Sequence, residues 1–290
     1  MRQFIGETLR PVLQRLRTKI DGFRPCSAAG GSPLRGTFLG ELTWPEAERA
    51  LTTEGVVVIP LGAQTKEHGL HLPLQNDWLL AEYLKGRVLE ALDVVVAPTV
   101  NYGFYPAFTE YPGSSSLSRS TARDMIVEIC RGWSFHGPRR YYVLNTGISP
   151  MLPLGEAAAI LAAEGILLRF TDLSVLESVE KAAAWEQRLG SHADEVETSI
   201  TLHISPSSVA MHRAAPDCRP HRPGPLTRDP RGAGTYSPSG CWGDPTRATR
   251  EKGRAAVETL FAGICRQIEE VRCASLPGAG EECLSQGRAA

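Results

Sequence analysis

The stretch Val56-Val57-Val58-Ile59-Pro60-Leu61-Gly62-Ala63-Gln64-Thr65-Lys66-Glu67-His68-Gly69-Leu70-His71 opens on an apolar run and breaks into a polar, glycine-containing loop. The run does not alternate, as expected of a strand buried on both faces. Comparable runs recur at Val94-Val95-Val96-Ala97-Pro98, Tyr141-Tyr142-Val143-Leu144 and Ile166-Leu167-Leu168-Arg169-Phe170. Helical periodicity lies between them, near residues 77–92, 121–133 and 155–164. This alternation predicts an α/β fold: a three-layer α/β/α arrangement around a mostly parallel central sheet. A short helix is expected from Thr43 to Leu51, with Thr43 as N-cap and Pro45 near the start. A last helix is expected over Thr249 to Val271.

Around this frame the chain divides into an N-terminal extension and linker (1–36), a main domain (37–273) and a tail (274–290). Residues 1–23 set Phe4, Ile5, Leu9, Val12, Leu13, Leu16 and Ile20 at helical spacing among basic residues. They read as a docking helix or an extension, because Glu7 and Asp21 dilute the basic character of a transit segment. Prolines and glycines crowd residues 214–240, which read as a long irregular loop or lid.

Composition narrows the function classes. Of 290 residues 42% are hydrophobic, so a sizeable core is available, and the net charge of −1 gives no field for nucleic acid or a membrane surface. No apolar run reaches membrane-spanning length. The seven cysteines are odd in number and lack Cys-x-x-Cys spacing, which points to reduced thiols and a cytoplasmic location.

In open parallel sheets ligands bind beyond the carboxyl ends of the strands. After the first run come Glu67, His68, His71 and Asp77, ligand types suited to zinc or manganese. After the second come Tyr102-Gly103 and Glu110-Tyr111-Pro112-Gly113-Ser114, and after the third Asn145-Thr146-Gly147-Ile148-Ser149. Read alone, the first cluster is equally compatible with loop-bracing histidines and an Asp77 that caps the next helix.

These segments resemble the creatininase (creatinine amidohydrolase) family. Lys66-Glu67-His68-Gly69-Leu70-His71-Leu72-Pro73 with Asp77 is similar to its first signature, and Tyr111-Pro112-Gly113-Ser114 to its second. His192-Ala193-Asp194-Glu195-Val196-Glu197-Thr198-Ser199 resembles a third. Tyr236-Ser237-Pro238-Ser239-Gly240, Gly243-Asp244-Pro245 and Glu251-Lys252-Gly253 resemble a fourth. The resemblance implies a two-metal site that hydrolyses cyclic or linear amides of small molecules, in a homo-oligomer.

The resemblance also implies a ligand set that this sequence largely lacks. The family's ligand His and bridging Asp fall on His68 and Asp77. Its first ligand Glu falls on Lys66, a later ligand His on Gly147, and the Glu of creatininase itself on Ser149. A family His before the second signature falls on Phe108. Either one metal remains, on His68 and Asp77 with recruits such as Glu67, Glu110 or Glu197, or the Lys66 ammonium neutralises Asp77 in a metal-free pocket. The divalent metal, zinc or manganese, is therefore expected at one per chain or none.

The leading expectation is a metal-dependent amidohydrolase with Glu197 moving the proton and Asn145, Tyr102 and His192 meeting the substrate. One rival is a non-catalytic binding or oligomeric protein that keeps the scaffold. Another is a metal-independent enzyme using Lys66 as base or Schiff-base nucleophile.

Overall fold

A computed structural model describes residues 34–278. The amphipathic reading of residues 1–23 and most of the tail lie outside them. The central sheet has five strands: β1 (Thr37–Phe38), β2 (Val56–Leu61), β3 (Val95–Val96), β4 (Arg140–Asn145) and β5 (Leu167–Phe170). They are ordered β1-β3-β2-β4-β5, and every pairing is parallel. The apolar runs of the sequence therefore form one sheet. The second run is shorter than its apolar stretch, and β1 carries no apolar run to announce it.

The helices are α1 (Trp44–Ala50), α2 (Asn76–Ala91), α3 (Arg119–Ser134), α4 (Met151–Ala162), α5 (Leu173–Val179), α6 (Glu195–Ile204) and α7 (Arg250–Cys273). They cover both sheet faces. Val56 and Val58 of β2, with Tyr142 and Leu144 of β4, pack against Leu84 and Val88 of α2 and Leu260, Ile264 and Ile268 of α7. The alternate residues Val57, Ile59, Tyr141 and Val143 pack against Ile126 and Val127 of α3 and Leu154 and Leu161 of α4. Burying each such aliphatic side chain stabilises the fold by about 1.5–3 kcal/mol. This two-sided burial is why β2 shows no alternation.

Helix α7 lies against α6 without a side chain between them at one point. A Cβ on Gly253 would overlap the Ser199 carbonyl. Lys252 bridges Glu195 of α6 (2.5 Å) and Glu186 (2.8 Å). The buried Glu195 carboxylate also accepts the backbone N–H groups of Glu186 and Gln187, at 2.9 and 2.7 Å. That network fixes the segment leading into α6.

Residues 214–240 are irregular, as composition suggests, but they are packed. They contain a short parallel ladder of β6 (Leu226–Thr227) and β7 (Thr235–Tyr236). Thr227, Thr235 and Ser237 are buried. Tyr111 donates its hydroxyl to the Ser237 carbonyl at 2.7 Å. Cys130, Cys218, Cys241, Cys265 and Cys273 are free thiols. No helix among the described residues is long and apolar enough to cross a membrane.

Candidate active site

The loop after β2 returns at Leu74, where the Lys66 N–H donates to the Leu74 carbonyl at 3.0 Å, and enters α2 through Asn76 and Asp77. Asp77 thus sits in the first turn of α2, where the helix dipole favours a carboxylate. The Lys66 Nζ lies 2.7 Å from Asp77 Oδ2, and His68 Nε2 lies 2.8 Å from Asp77 Oδ1. All three are buried: Lys66 is 5% exposed, Asp77 4% and His68 0%. His68 Nδ1 is 2.9 Å from the Lys66 carbonyl.

Burial pulls the Lys66 ammonium toward its neutral form, but the carboxylates of Asp77 and Glu197 outweigh it and hold its pKa above the ordinary lysine value. Burial likewise opposes ionisation of Asp77, yet Lys66 and His68 keep it well below the usual carboxylate range. The ammonium also lies 4.8 Å from the Phe108 ring centroid and 5.8 Å from that of Tyr105. A cation over an aromatic face gains roughly 0.5–2 kcal/mol.

A second group comes from the approach to α6. His192 Nε2 lies 3.0 Å from the Glu67 carbonyl and 3.2 Å from Glu67 Oε2, while its Nδ1 lies 3.6 Å from Glu197 Oε2. Burial pulls the His192 pKa down, but the Glu67 hydrogen bond and the Glu197 charge leave it raised. The Gly69 N–H donates to Glu67 Oε1, and the Ser114 hydroxyl accepts the Glu67 N–H at 2.9 Å. Ala193 has φ +49°, a left-handed conformation that costs a non-glycine residue about 1–3 kcal/mol. Its N–H donates to Glu197 Oε2 at 2.6 Å, so this turn sets His192 beside Glu197. Asp194 caps α6 by accepting the Val196 and Glu197 N–H groups, each at 3.0 Å.

The two groups share one cleft of about 800 Å³, whose wall includes Lys66, Asp77, Phe108, His192, Glu197 and Trp242. The rings of His68 and His192 lie 5.1 Å apart between centroids, and those of Phe108 and His192 4.4 Å apart. Ligand-type atoms of His68, His192 and Glu197 fall within 4.8 Å of one another.

Lys66, Glu67, His68, Asp77, His192 and Glu197 are therefore brought together. Asn145 and Tyr102 are not part of this group. The Asn145 side chain is closed on the Gly147 backbone, donating to its carbonyl at 2.5 Å and accepting its N–H at 3.2 Å, so it holds a turn. Tyr102 is 46% exposed and is not among the cleft-lining residues. Glu110 accepts from the Thr227 hydroxyl and the Arg228 N–H, both at 2.9 Å, and anchors the 214–240 segment. His71 Nε2 lies 2.8 Å from the Thr198 hydroxyl oxygen, and burial lowers its pKa to about 4. The aromatic wall of Phe108, Tyr105 and Trp242 has no sequence signal beyond the frequency of aromatics near glycine-containing loops.

The arrangement bears on the chemistry implied by the sequence. A two-metal centre bridged by Asp77 does not fit these residues. The Lys66 ammonium occupies the approach to Asp77 Oδ2, and Gly147 brings no side-chain donor. Glu67 is engaged by the Gly69 N–H and by His192 instead of joining His68 and Asp77, which works against a simple His68–Asp77–Glu67 metal site. A Schiff base at Lys66 requires a neutral amine, and the Asp77 charge works against one.

Comparison with known proteins agrees with this scaffold. The sequence model of the creatininase family, described as creatinine amidohydrolase, matches residues 40–268. The creatinine amidohydrolase of Pseudomonas putida is 28% identical over 255 residues, covering 81% of this chain and 97% of that protein. The mycofactocin precursor peptide peptidase of Mycolicibacterium smegmatis is 31% identical over 225 residues, covering 74% and 84%. A mutant creatininase structure of Zn-Zn type superposes with a TM-score of 0.63 at 25% identity, covering 84% of this chain and 100% of that one. The parallel sheet, the helices on both its faces and these matches together place the chain in the creatininase family.

Proposed function

We propose that this chain hydrolyses a C–N amide bond of a small substrate, cyclic or linear, held in the cleft, with at most one divalent cation, zinc or manganese, per chain. The observation that carries the reading is the meeting of Lys66, His192 and Glu197 on the wall of one cleft of about 800 Å³. Pockets of roughly 300–1,000 Å³ suit small organic ligands. Two similar proteins, an amidohydrolase and a peptidase by name, support the reaction class and leave the substrate open.

In this reaction a water oxygen adds to the carbonyl carbon and the C–N bond breaks. A proton ends on the departing nitrogen, giving an acid and an amine. A divalent cation supplies a polarised carbonyl and a water acidified toward neutrality. Lys66 supplies a fixed positive charge at the cleft wall, held by Asp77 at 2.7 Å. Such preorganised charge stabilises the carbonyl oxygen as it becomes negative. Since its surroundings favour the charged form, Lys66 keeps its proton and acts as this fixed charge, while the Glu197 carboxylate takes a proton from the attacking water and passes it to the leaving nitrogen.

The test is a panel of lactams, cyclic ureides, linear amides and short peptides, assayed with zinc and with manganese. Turnover of at least one class is expected, with kcat/KM about 100-fold lower in Lys66→Met and partly restored in Lys66→Arg. The commitment of Asp77 to Lys66 favours a second reading, a non-catalytic binding protein. Saturable binding in the cleft with no turnover across the panel would establish that reading in place of the first.

A further inference from the structure

The two buried histidines present the same hydrogen-bonding problem. The Lys66 carbonyl can only accept, so His68 Nδ1, 2.9 Å away, must carry a proton. In a neutral ring this leaves the Nε2 lone pair facing Asp77 Oδ1 at 2.8 Å, acceptor against acceptor. The Glu67 carbonyl likewise requires the proton on His192 Nε2, at 3.0 Å. The Nδ1 lone pair of His192 then faces Glu197 Oε2 at 3.6 Å. Each contact needs a positive species.

Counting charge says how much is missing. Among the side chains in direct contact, leaving aside Asp194, which caps α6, Asp77, Glu67 and Glu197 bring three negative charges and Lys66 one positive, a deficit of two. One divalent cation or two imidazolium protons make up that deficit. One ligand atom each of His68, His192 and Glu197 lies within 4.8 Å of the others, a spacing that one cation can bridge. A ring nitrogen that donates to a backbone carbonyl, leaving the other without a proton, is also the usual arrangement of a metal-binding histidine.

We propose that one divalent cation binds between His68 Nε2, His192 Nδ1 and the Glu197 carboxylate, while the Lys66 ammonium serves Asp77 as a permanent second cation. Two nitrogens and one oxygen suit zinc, and cobalt as its spectroscopic probe. The site lies on the side of His68 toward the α6 approach, and it reassigns Glu197 from proton carrier to ligand. The inference deepens the hydrolase reading, but its test measures binding rather than turnover.

The full-length chain is stripped with chelator and titrated with Co²⁺ and with Zn²⁺, following visible absorption and heat. One ion per chain is expected, with a cobalt spectrum typical of nitrogen and oxygen ligands. Glu197→Gln, which keeps the side-chain shape, should weaken binding by about 100-fold or more, as should His192→Ala. Circular dichroism establishes that each variant is folded, and Glu197→Gln carries the test if His192→Ala is not. Absence of binding by the parent, two ions per chain, or an unchanged affinity in Glu197→Gln would overturn the site in favour of two imidazoliums. A parent that binds one ion without cleaving any amide keeps the site and removes the hydrolase. One that cleaves amides without binding an ion removes the site and keeps the hydrolase.

Discussion

The loop after β2 and the segment entering α6 both place buried polar groups on the same cleft, but they hold them differently. In the loop, Lys66, Asp77 and His68 contact one another at 2.7 and 2.8 Å, with Asp77 taking a partner on each oxygen. At α6, His192 and Glu197 stand 3.6 Å apart, the Glu197 side chain keeps 27% of its exposure, and Ala193 between them is strained. One half is closed around its own charges and supports the fold. The other is held short of contact, which is the arrangement expected where a ligand is to be received. The loop's resemblance to the family's first signature therefore says little about its chemistry, and the less regular half carries more of it.

The sharpest way to break this contrast is Asp77→Ala. It leaves a buried ammonium unpaired beside Phe108 and strips His68 of its partner. Removing one member of a buried pair costs about 3–5 kcal/mol. Chemical denaturation should show a loss of that size, with much of it recovered in the Lys66→Met/Asp77→Ala double variant. A loss below about 1 kcal/mol in the single variant would mean the loop is not closed in this sense.

Gly240→Ala should cost less and act across the two halves. Gly240 has φ +77°, and an added Cβ would overlap the Glu67 carboxylate. Forced overpacking with unfavourable φ costs typically about 1–3 kcal/mol. Because Glu67 orients His192, the variant should also lose cation affinity beyond what its stability loss explains. Calorimetric titration of the folded variant checks this.

How much of this could be read from the sequence follows the same division. The sheet was legible because Val56 to Leu61 and Tyr141 to Leu144 are buried on both faces, which leaves unbroken apolar runs. β1 was not, because two partly buried residues, Thr37 and Phe38, carry no pattern. The Lys66–Asp77 pairing was legible as an alternative, since a lysine at a ligand position beside a retained carboxylate implies charge compensation. That the Asn145 side chain closes a turn and that Tyr102 is exposed and does not line the cleft was not legible: an Asn after a strand suits a turn as well as a substrate contact, and exposure is a three-dimensional property. His192 read as a substrate contact because its segment resembles one that lines the family's site; its pairing with Glu67, far off in sequence, and with Glu197 across a left-handed turn at Ala193 is announced by nothing in the sequence. The packing of residues 214–240 was hidden for the same reason, since its anchors, Tyr111 and Glu110, lie about a hundred residues earlier.

A smaller effect separates the histidine that braces the loop from those that face the cleft. Burial depresses the His71 pKa to about 4, below its unfolded value near 6.5. The unfolded chain therefore binds the extra proton first, and stability falls as pH drops from about 6.5 toward 4. At pH 5 this amounts to roughly 2 kcal/mol, at 1.36 kcal/mol per pKa unit. Asp194, raised to about 6 by burial and the Glu197 charge, contributes the opposite slope over much of that range. Denaturation at pH 7 and pH 5 in the parent and in His71→Asn isolates the histidine: the variant should lose less stability on acidification. An equal loss in both would mean His71 is not sealed as the Thr198 contact implies.

Glu197→Gln is expected to change stability least and is the most direct probe of the open half. The amide keeps an oxygen for the Ala193 N–H at 2.6 Å, the packing volume hardly changes, and the side chain is partly exposed. Changes of this kind usually stay within about 0.5 kcal/mol. What is removed is a negative charge 3.6 Å from His192. If the α6 half exists to receive a ligand, the variant should melt like the parent and lose turnover by about 100-fold or more, the reverse of Asp77→Ala, where the fold gives way first. A Glu197→Gln variant that is destabilised by several kcal/mol yet keeps its activity would reverse the comparison, placing the structural charge at α6 and the reactive one in the loop after β2.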